Sequence, residues 1–552
     1  MVWSLIATWP LVLHLGDAIY GYPGDALGTI SDFWWFAYAL HHGAPLLYNE
    51  LRGVPLGSGW ETVYFDVLQV GLFAPLSYAV GPIAAYNAGM LSSYPLTAWV
   101  TFLLGRRLGM NNLAAAFAGL TYAFVPFHQE KAMVHLLHTH MELFTAFLYF
   151  GVRWRQSGSR WSLVGAGAIT GLTLWTDPSL SYLLAVVIAV FFITSIVWRP
   201  HERTWTQQLR AHVVGAVAVL VVTALFVPAV LAVSTRAGAQ HSGSIGGQFT
   251  STERLSTELV TYAARTKEYL LPWHLNPLIP SSLRAYEEAN RHGSSFAEMS
   301  LTIGYTVIAL SIAGLLAFRR TYAAWLCVVI AVAGFVMSQP PEHVILGITI
   351  PMPSHFLFPV LPIFRVYSRF GILVLLGAAL LAGFGFMALD AKLAASRRWL
   401  LALPFLLVAA EFNGVPPSHV LELLPAPAEY TWLKAQPPGT LIEYPLAIRS
   451  PDPQVGTDVE VANRVYAFYQ QVHEHAMFNG ATSDSAAARL AYTLDPYYLP
   501  GVAAELRSLD IRYVFVHRAA YVRFGRDPTQ PVPGYRFVET LDDTDIWVAP
   551  TS

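Results

Sequence analysis

Long apolar runs separated by short polar segments form the pattern of the chain up to about residue 413. A helix needs about 20 consecutive apolar residues to cross the hydrocarbon core of a membrane. The runs that we interpret as spans include 2–15, 84–104, 139–152, 161–176, 180–198, 211–233, 302–318, 321–337 and 370–389. The pattern predicts a transmembrane module of about 11 spans over residues 1–413.

Basic residues cluster at one end of these runs. The clusters are Arg106-Arg107, Arg153–Arg160, Arg199–Arg210, Arg319-Arg320 and Lys392–Arg398. Because Lys and Arg accumulate on the cytoplasmic side of a membrane, we expect a multi-pass plasma-membrane protein with a cytoplasmic N-terminus. The loops predicted to lie outside are 17–83, 126–138, 234–300 and 338–368.

The segment 66–82, DVLQVGLFAPLSYAVGP, is apolar enough to count as a further span. Counting it would move Arg106 and Arg107 to the outside, against the bias of the other basic clusters. We therefore interpret it as an interfacial or re-entrant segment.

The tail after residue 413 changes character, since Pro, Asp and Glu become common and the apolar runs become short. GTLIEYPL at 439–446 and IRYVFVH at 511–517 are typical of buried strands. GVAAELRSLD at 501–510 favours a helix, and 535–550 favours a hairpin that turns at Asp542-Asp543. The sequence predicts an extracytoplasmic α/β domain over residues 414–552.

Composition supports a polytopic α-helical membrane protein. Of the 552 residues, 55% are hydrophobic and 12% are charged, against roughly 25% charged in soluble domains. The net charge of −2 gives no basic surface for nucleic acid. Cys327 is the one cysteine, which excludes an intrachain disulfide or a cysteine-based metal site.

The stretch GYPGDALGTISDFWWF at 21–36 follows the first apolar run and brings acids close to the membrane. Ser31 has the side chain of a helix N-cap, and the aromatic residues after it suit the headgroup zone. This predicts a surface helix SDFWWFAYALHHG that begins after Ser31 and carries Asp32 in its first turn. Asp25 and Asp32 then lie at the boundary of water and lipid, unless both are ordinary solvated loop residues.

A short first span, followed by a long external loop that opens with an acid, resembles the GT-C superfamily of membrane glycosyltransferases. That superfamily includes protein O-mannosyltransferases, aminoarabinose transferases and oligosaccharyltransferases. The chain is most similar to uncharacterised multispan bacterial members. The motifs that carry this resemblance are PGDALGT, HHGAPLLYNELRGVPLG, GLTYAFVPFHQEKAMVHLLHTH, VLPIFRVYSRFGILVLLGAALLAGFG, GTLIEYPL, HEHAMFNG and LDIRYVFVH.

The resemblance implies a polyprenyl-phosphate sugar as donor and an extracytoplasmic glycan, lipid or protein as acceptor. An acid of the first loop would act as general base in an inverting single displacement. Asp25, in its Gly-Asp-Ala context, matches the family acid best. Asp17 and Asp32 are the alternatives, and spacing does not separate the three.

Arg365 and Arg369, in FRVYSRF, are the candidates for binding the phosphate of the leaving group. They are four positions apart, so they share a face if the helix of 370–389 starts early. A pair of arginines suits the geometry of phosphate. The alternative is that both are anchors whose side chains reach the lipid headgroups.

The loop after residue 126 and two span ends supply further polar candidates for a substrate cavity. They are His135, His138, His140, Glu142, Asp177 and Glu298. His138, His140 and Glu142 could instead join Asp25 around a divalent metal, Mg or Mn by their oxygen ligands or Zn by their imidazoles, and the mixture leaves the metal open. Asp177 before Pro178 favours a helix cap over a cavity role. Glu298 is either a second acid of the site or a first-turn acid favoured by the helix dipole.

Two other functions fit a polytopic chain. A lipid or glycan transporter, or a flippase, usually places ionisable residues at the membrane midplane. The runs 211–233, 302–318 and 321–337 hold no Asp, Glu, Lys or Arg at their centres, which favours an enzyme at the outer surface. The third interpretation is a non-catalytic membrane scaffold with an external binding domain.

Overall fold

The computed structural model describes residues 2–46, 48–55, 57–59, 67–198, 204–227, 259–290, 296–345, 347–360, 364–414, 421–446, 464–480, 490–491 and 493–550. The chain divides into two compact units. The first combines Met1–Leu13 with Gly89–Val230 and Ser251–Val420, and the second combines His14–Ala88 with Leu421–Ser552. These units are defined by which residues pack together and not by their position in a bilayer. The predicted division into a membrane module, 1–413, and an external domain, 414–552, therefore stays a prediction.

The first unit is almost entirely helical. Its α-helices are Val2–Ala7, Pro82–Arg107 from Gly89 on, Asn112–Ala123, Pro126–Val134, Glu142–Ser157, Arg160–Thr176, Pro178–Val197, Trp205–Ala224, Ser281–Asn290, Phe296–Met299, Tyr305–Phe318, Tyr322–Ser338, Pro353–Leu357, Gly371–Lys392 and Ala402–Glu411. Its 3-10 turns are Leu11–Leu13, Leu136–Thr139, Thr266–Tyr269, Tyr367–Phe370 and Ala395–Leu401. Strands Glu342–Ile345 and Ile348–Pro351 form an antiparallel hairpin.

Helix Gly371–Lys392 lies at the centre of this unit, and every residue from Gly371 to Phe386 is buried. Small residues let its neighbours approach closely, as is common between helices in membranes. A Cβ at Gly385 would collide with the carbonyl oxygen of Leu310, and a Cβ at Gly377 would lie 2.5 Å from the carbonyl oxygen of Cys327. Glycine at these positions therefore sets the distance between the central helix and its neighbours.

Three helices within the described part of the chain are long and apolar enough to cross a membrane. They are Ser179–Val197, Trp205–Ala224 and Tyr367–Lys392, and the shorter apolar helices are Val70–Val80, Tyr305–Phe318 and Tyr322–Ser338. The predicted number of spans stays a prediction.

Two apolar segments of the N-terminal region differ in how well they match their predicted form. The predicted span 2–15 is α-helical only over Val2–Ala7, since Pro10 follows and cannot donate the hydrogen bond that a continuing helix needs. The segment 66–82 forms the helix Val67–Val80, which contains Pro75. Its 14 residues are fewer than the roughly 20 of a full span, which fits the interfacial or re-entrant interpretation.

The second unit is built around a four-stranded sheet. Its strands lie in the order Thr440–Tyr444, Ile511–His517, Thr544–Val548 and Arg536–Leu541. The first two strands are parallel, and the remaining pairs are antiparallel. The helices of this unit are Asp25–His42, Val67–Val80, Ala428–Lys434, 464–473, Val502–Ser508 and Arg518–Arg523.

The sequence predictions for the tail are confirmed at the level of elements. The strands predicted in 439–446 and 511–517 form and pair with each other, and Val502–Ser508 is helical. The predicted hairpin turns at Asp542, whose φ of 49° lies in the left-handed region that short polar residues tolerate.

The predicted start of the surface helix is wrong. The helix runs over Asp25–His42, and its N-cap is Gly24, whose φ of 147° is open to glycine. Asp25 therefore occupies the first turn, where the helix dipole favours a carboxylate. Ser31 lies inside the helix and donates a hydrogen bond of 2.8 Å to the carbonyl oxygen of Ala467.

The first loop and the tail form one unit because their backbones pair directly. Strand Ala18–Tyr20 is antiparallel to Leu421–Leu423. The amide of Met477 donates to Leu51 at 2.8 Å, and the amide of Gly53 donates to Asn479 at 3.1 Å. The residues of the first loop are thus fixed by the last part of the chain.

Candidate functional site

Glu298 is the centre of a buried charged cluster in the first unit. It is buried in the short helix Phe296–Met299. Arg369 donates two hydrogen bonds to it, from Nη2 to Oε1 at 2.7 Å and from Nε to Oε2 at 3.1 Å. Nζ of Lys131 lies 2.8 Å from Oε1, and Nε2 of His135 lies 3.8 Å from it. Two full cations thus meet one carboxylate in a site largely closed to water.

Asp177 forms a second centre beside the first. It caps the helix Pro178–Val197, since its Oδ1 accepts from the amide of Ser179 at 2.7 Å. This confirms the predicted cap. Nε2 of His138 lies 3.0 Å from its Oδ2, so Asp177 also orients an imidazole. Nη1 of Arg369 donates to Oγ of Ser179 at 3.4 Å and joins the two centres.

Burial and charge set the protonation of these groups together. Burial alone would raise the pKa of Glu298, but the cations Arg369 and Lys131 outweigh it and hold that pKa well below its usual range. Burial also disfavours the carboxylate of Asp177, yet its hydrogen bond with His138 and the charge of Arg369 lower its pKa to about 2. Both acids are therefore ionised at neutral pH.

The two basic partners respond to burial in the opposite direction. Burial lowers the pKa of His138 to about 4, and the neighbouring charge of Arg369 adds to this effect. At pH 7 His138 is therefore neutral, and the N–H on Nε2 donates to Asp177. Burial lowers the pKa of Lys131 to about 8, against the attraction of Glu298.

His140 and Glu142 lie apart from this cluster and satisfy each other. Nδ1 of His140 is 2.8 Å from Oε1 of Glu142, and Thr97 donates to Oε2 at 3.2 Å. The set His138, His140 and Glu142 is thus split between two partners. Nowhere among the described residues do three His, Cys, Asp or Glu side chains come together as a metal site would need.

The three acids of the first loop belong to the second unit and differ in their surroundings. The carboxylate of Asp25 is 31% exposed and pairs with the guanidinium of Arg464. Asp32 is 8% exposed, and its Oδ1 lies 3.5 Å from Nη1 of Arg52. Asp17, whose side chain is 64% exposed, lies 3.3 Å from His14. Asp25 is therefore fixed by a charge and still open to solvent, which suits a group that exchanges protons.

Burial raises the pKa of Asp32 to about 6, although Arg52 opposes that shift. A carboxyl with a pKa near neutrality can also act as a base. Its enclosure, however, favours a structural role in which it compensates the buried charge of Arg52.

The condition for a shared helical face of Arg365 and Arg369, an early start of the helix, is not met. Arg369 lies in the 3-10 turn Tyr367–Phe370, and the α-helix starts only at Gly371. Arg365 precedes that turn in a segment without regular structure. The i, i+4 relation of an α-helix therefore does not hold, and Arg369 lies in the Glu298 cluster.

Sequence reasoning missed Lys131 and the group around Glu130. The indole N–H of Trp273 donates to Oε1 of Glu130 at 2.8 Å, and His274 lies 3.5 Å from the same oxygen. The signal available was the polar run HQEK within an apolar neighbourhood. The local sequence does not reveal whether a lysine such as Lys131 is buried or exposed to solvent.

Comparisons with known proteins give no match among protein-family models and none among curated proteins. Among solved structures, the arabinofuranosyltransferase AftD from mycobacteria has a TM-score of 0.57 at 13% identity, covering 100% of this chain and 40% of its own. The oligosaccharyltransferase of Archaeoglobus fulgidus in complex with Zn and sulfate has a TM-score of 0.53 at 13% identity, covering 99% of this chain and 72% of its own.

ArnT from Cupriavidus metallidurans bound to undecaprenyl phosphate matches with a TM-score of 0.52 at 16% identity, covering 100% of this chain and 98% of its own. At such identities the likeness is one of fold. These three neighbours are all GT-C glycosyltransferases, and the chain has the GT-C fold that its sequence motifs predicted.

Proposed function

We propose that the protein is a membrane glycosyltransferase that moves a sugar from a polyprenyl-phosphate donor to an extracytoplasmic acceptor. One fold supports many functions, so the proposal needs support from a site. The observation that carries it is the buried cluster in which Arg369 and Lys131 converge on Glu298. The two cations suit the phosphate of a departing polyprenyl phosphate.

The proposed reaction is a single displacement with inversion. The acceptor hydroxyl oxygen attacks the anomeric carbon, and Asp25 takes the hydroxyl proton. The bond between the anomeric carbon and the phosphate oxygen breaks, and polyprenyl phosphate leaves with the electron pair. Arg369 and Lys131 stabilise the charge that develops on that oxygen, and Arg365 remains the second proposed phosphate contact.

The remaining polar residues are proposed to shape the substrate cavity. Glu298 fixes the planar fork of Arg369 before the donor arrives, which lowers the cost of orienting it. Asp177 fixes the tautomer of His138 in the same way. His135, His140 and Glu142 complete the proposed polar lining.

A divalent metal such as Mg or Mn stays an alternative for this protein. The archaeal neighbour is described in complex with Zn and sulfate. The described residues of this chain do not form a cluster that fits such an ion. We therefore derive no step of the reaction through a metal.

A sugar-transfer assay in proteoliposomes tests the function. The protein is given labelled polyprenyl-phosphate sugars and candidate acceptors, and both glycosylated product and released polyprenyl phosphate are measured. An enzyme produces the two in equal amounts. A flippase would move the labelled lipid between leaflets without releasing sugar, and a scaffold would do neither.

The pKa of Lys131 predicts how donor binding depends on pH. Because this pKa is about 8, the positive charge of Lys131 is present below pH 8 and is lost as pH rises through that value. The donor KM is therefore expected to rise by up to about tenfold from pH 7 to pH 9, because the charged fraction of Lys131 falls about tenfold over this interval. Lys131→Met should have the higher KM at both pH values.

The control for this experiment is Lys434→Met, which removes an exposed lysine of the second unit. It should keep the pH dependence of the native protein. An alkaline rise in KM that persists unchanged in Lys131→Met would assign the titration to another group.

We also propose that the N-terminus is cytoplasmic and that the tail domain lies outside. A reporter that is active only outside the cytoplasm, fused after Ser552, should be active. The same reporter inserted at Gly158, in a loop predicted to be cytoplasmic, should be silent. The reverse result would invert the topology and place the loop of Asp25 in the cytoplasm.

A further inference from the structure

Helix 464–473 of the tail connects the first loop to the four-stranded sheet of the second unit. On one side, Arg464 pairs with Asp25, and the carbonyl oxygen of Ala467 accepts from Ser31 at 2.8 Å. On the other side, the ring of Tyr466 stacks on His517, with centroids 5.0 Å apart and an interplanar angle of 12°. The helix is thus anchored to both parts of the unit.

The contact of Arg464 with the first loop extends beyond the ion pair. Asp25 and Gly28 are three positions apart and share a face of their helix. A Cβ at Gly28 would lie 3.8 Å from Cγ of Arg464. The aliphatic part of Arg464 therefore runs along the first turn of the helix, and its guanidinium reaches the carboxylate of Asp25.

A second tie fixes the same two helices next to this contact. Arg52 donates to the hydroxyl of Ser31 and lies 3.5 Å from Asp32. Arg52 is itself buried, and the carbonyl oxygen of its neighbour Leu51 accepts from Nε2 of Gln470, in helix 464–473, at 2.8 Å. Rotation of the first-loop helix against helix 464–473 would break these contacts as well.

We propose that Arg464 is a positioning residue for Asp25, and this inference rests on the proposed role of Asp25 as general base. The guanidinium on one carboxylate oxygen orients the group, and a carboxylate has lone pairs on both oxygens with which to accept a hydroxyl proton. Because an opposite charge nearby stabilises a carboxylate, removal of Arg464 is expected to shift the pH dependence of the base.

The pH dependence of the pair belongs to Asp25. Arginine is not deprotonated in proteins, so Arg464 stays charged over the working range. The buried Tyr86 of helix Pro82–Arg107 is another titratable side chain within electrostatic reach of Asp25. Phenols do not titrate in the acidic range, so an acidic limb of the rate profile reports the carboxylate.

The test is the pH profile of kcat/KM for sugar transfer by the full-length protein, the Arg464→Gln variant and the Arg464→Lys variant. Loss of the cation should raise the apparent pKa of the acidic limb by about one, which lowers kcat/KM about tenfold at pH values below the limb. Arg464→Lys should restore much of the original profile. Arg536→Gln removes an exposed arginine of the same unit and should leave the profile unchanged.

Asp25→Asn is measured in parallel, so that the role of Asp25 as base and the role of Arg464 in positioning it are tested separately. If Asp25→Asn is inactive and the limb does not move in Arg464→Gln, the positioning role is overturned while the base stands. If Asp25→Asn retains turnover, the base assignment fails and the positioning role fails with it. A thermal unfolding scan of each variant identifies a change in activity that comes from loss of folded protein.

Discussion

Turnover of the Asp25→Asn variant is expected to fall by about 10²–10⁴, the usual worth of general-base assistance. The amide keeps the size of the carboxylate and can still interact with Arg464, but it cannot take the proton of the acceptor hydroxyl. Donor binding should persist, because the proposed phosphate contacts lie on other residues. The measurement is turnover and donor KM at matched expression.

Two neighbouring acids serve as controls for this result. Asp17→Asn should be close to normal, since Asp17 is mostly exposed and its contact is with His14. Asp32→Asn leaves the buried Arg52 without its counter-charge, and breaking a buried ion pair costs about 3–5 kcal/mol. Its expected effect is on the yield and thermal stability of the protein, with turnover per folded molecule largely kept.

Other outcomes reassign the chemistry. Near-normal turnover of Asp25→Asn with a specific loss in Asp17→Asn or Asp32→Asn would transfer the role of base to that neighbour. Normal turnover of all three variants would remove the first loop from the proton transfer.

Arg369→Lys is expected to lower kcat by about 10²–10³, the effect of removing one preorganised donor at developing charge. Lysine keeps the positive charge but has no planar fork, so it cannot hold Glu298 through two parallel bonds as Arg369 does. The guanidinium also reaches Ser179 at 3.4 Å. A point charge would leave both the carboxylate and the leaving phosphate less well oriented.

The matched control is Arg320→Lys, an exposed arginine at a predicted cytoplasmic span end, which should have normal activity. The double variant Arg365→Ala and Arg369→Ala gives the decisive comparison. Activity that survives this double variant would reduce both arginines to headgroup anchors. Loss of kcat with unchanged donor KM would place Arg369 in transition-state stabilisation.

The parts of the fold that sequence predicted well are those with local signals. The strands in 439–446 and 511–517 carry β-branched and aromatic residues, and the turn at Asp542-Asp543 is marked by residues that tolerate a positive φ. Asp177 before Pro178 predicted a cap because both residues have fixed preferences at a helix start. Of the proposed cavity residues, His135, His138, Asp177 and Glu298 come together.

The parts that sequence did not predict depend on tertiary contacts. The first-loop helix starts at Asp25 because Gly24 adopts a backbone conformation that no local pattern signals. Lys131 is buried because Glu298, far along the chain, compensates its charge. Arg365 and Arg369 do not share a face because the turn before Gly371 is 3-10 and not α.

The second unit has a consequence for biosynthesis, because it is assembled from segments that lie far apart in the sequence. Residues 14–88 leave the ribosome well before residues 421–552, which complete the unit. The first loop therefore remains without its partners in 421–552 until the intervening residues have been synthesised. A truncation near residue 413 would deprive the first-loop helix of Arg464 and strand Ala18–Tyr20 of its partner Leu421–Leu423, so removing the tail would also disturb the first loop.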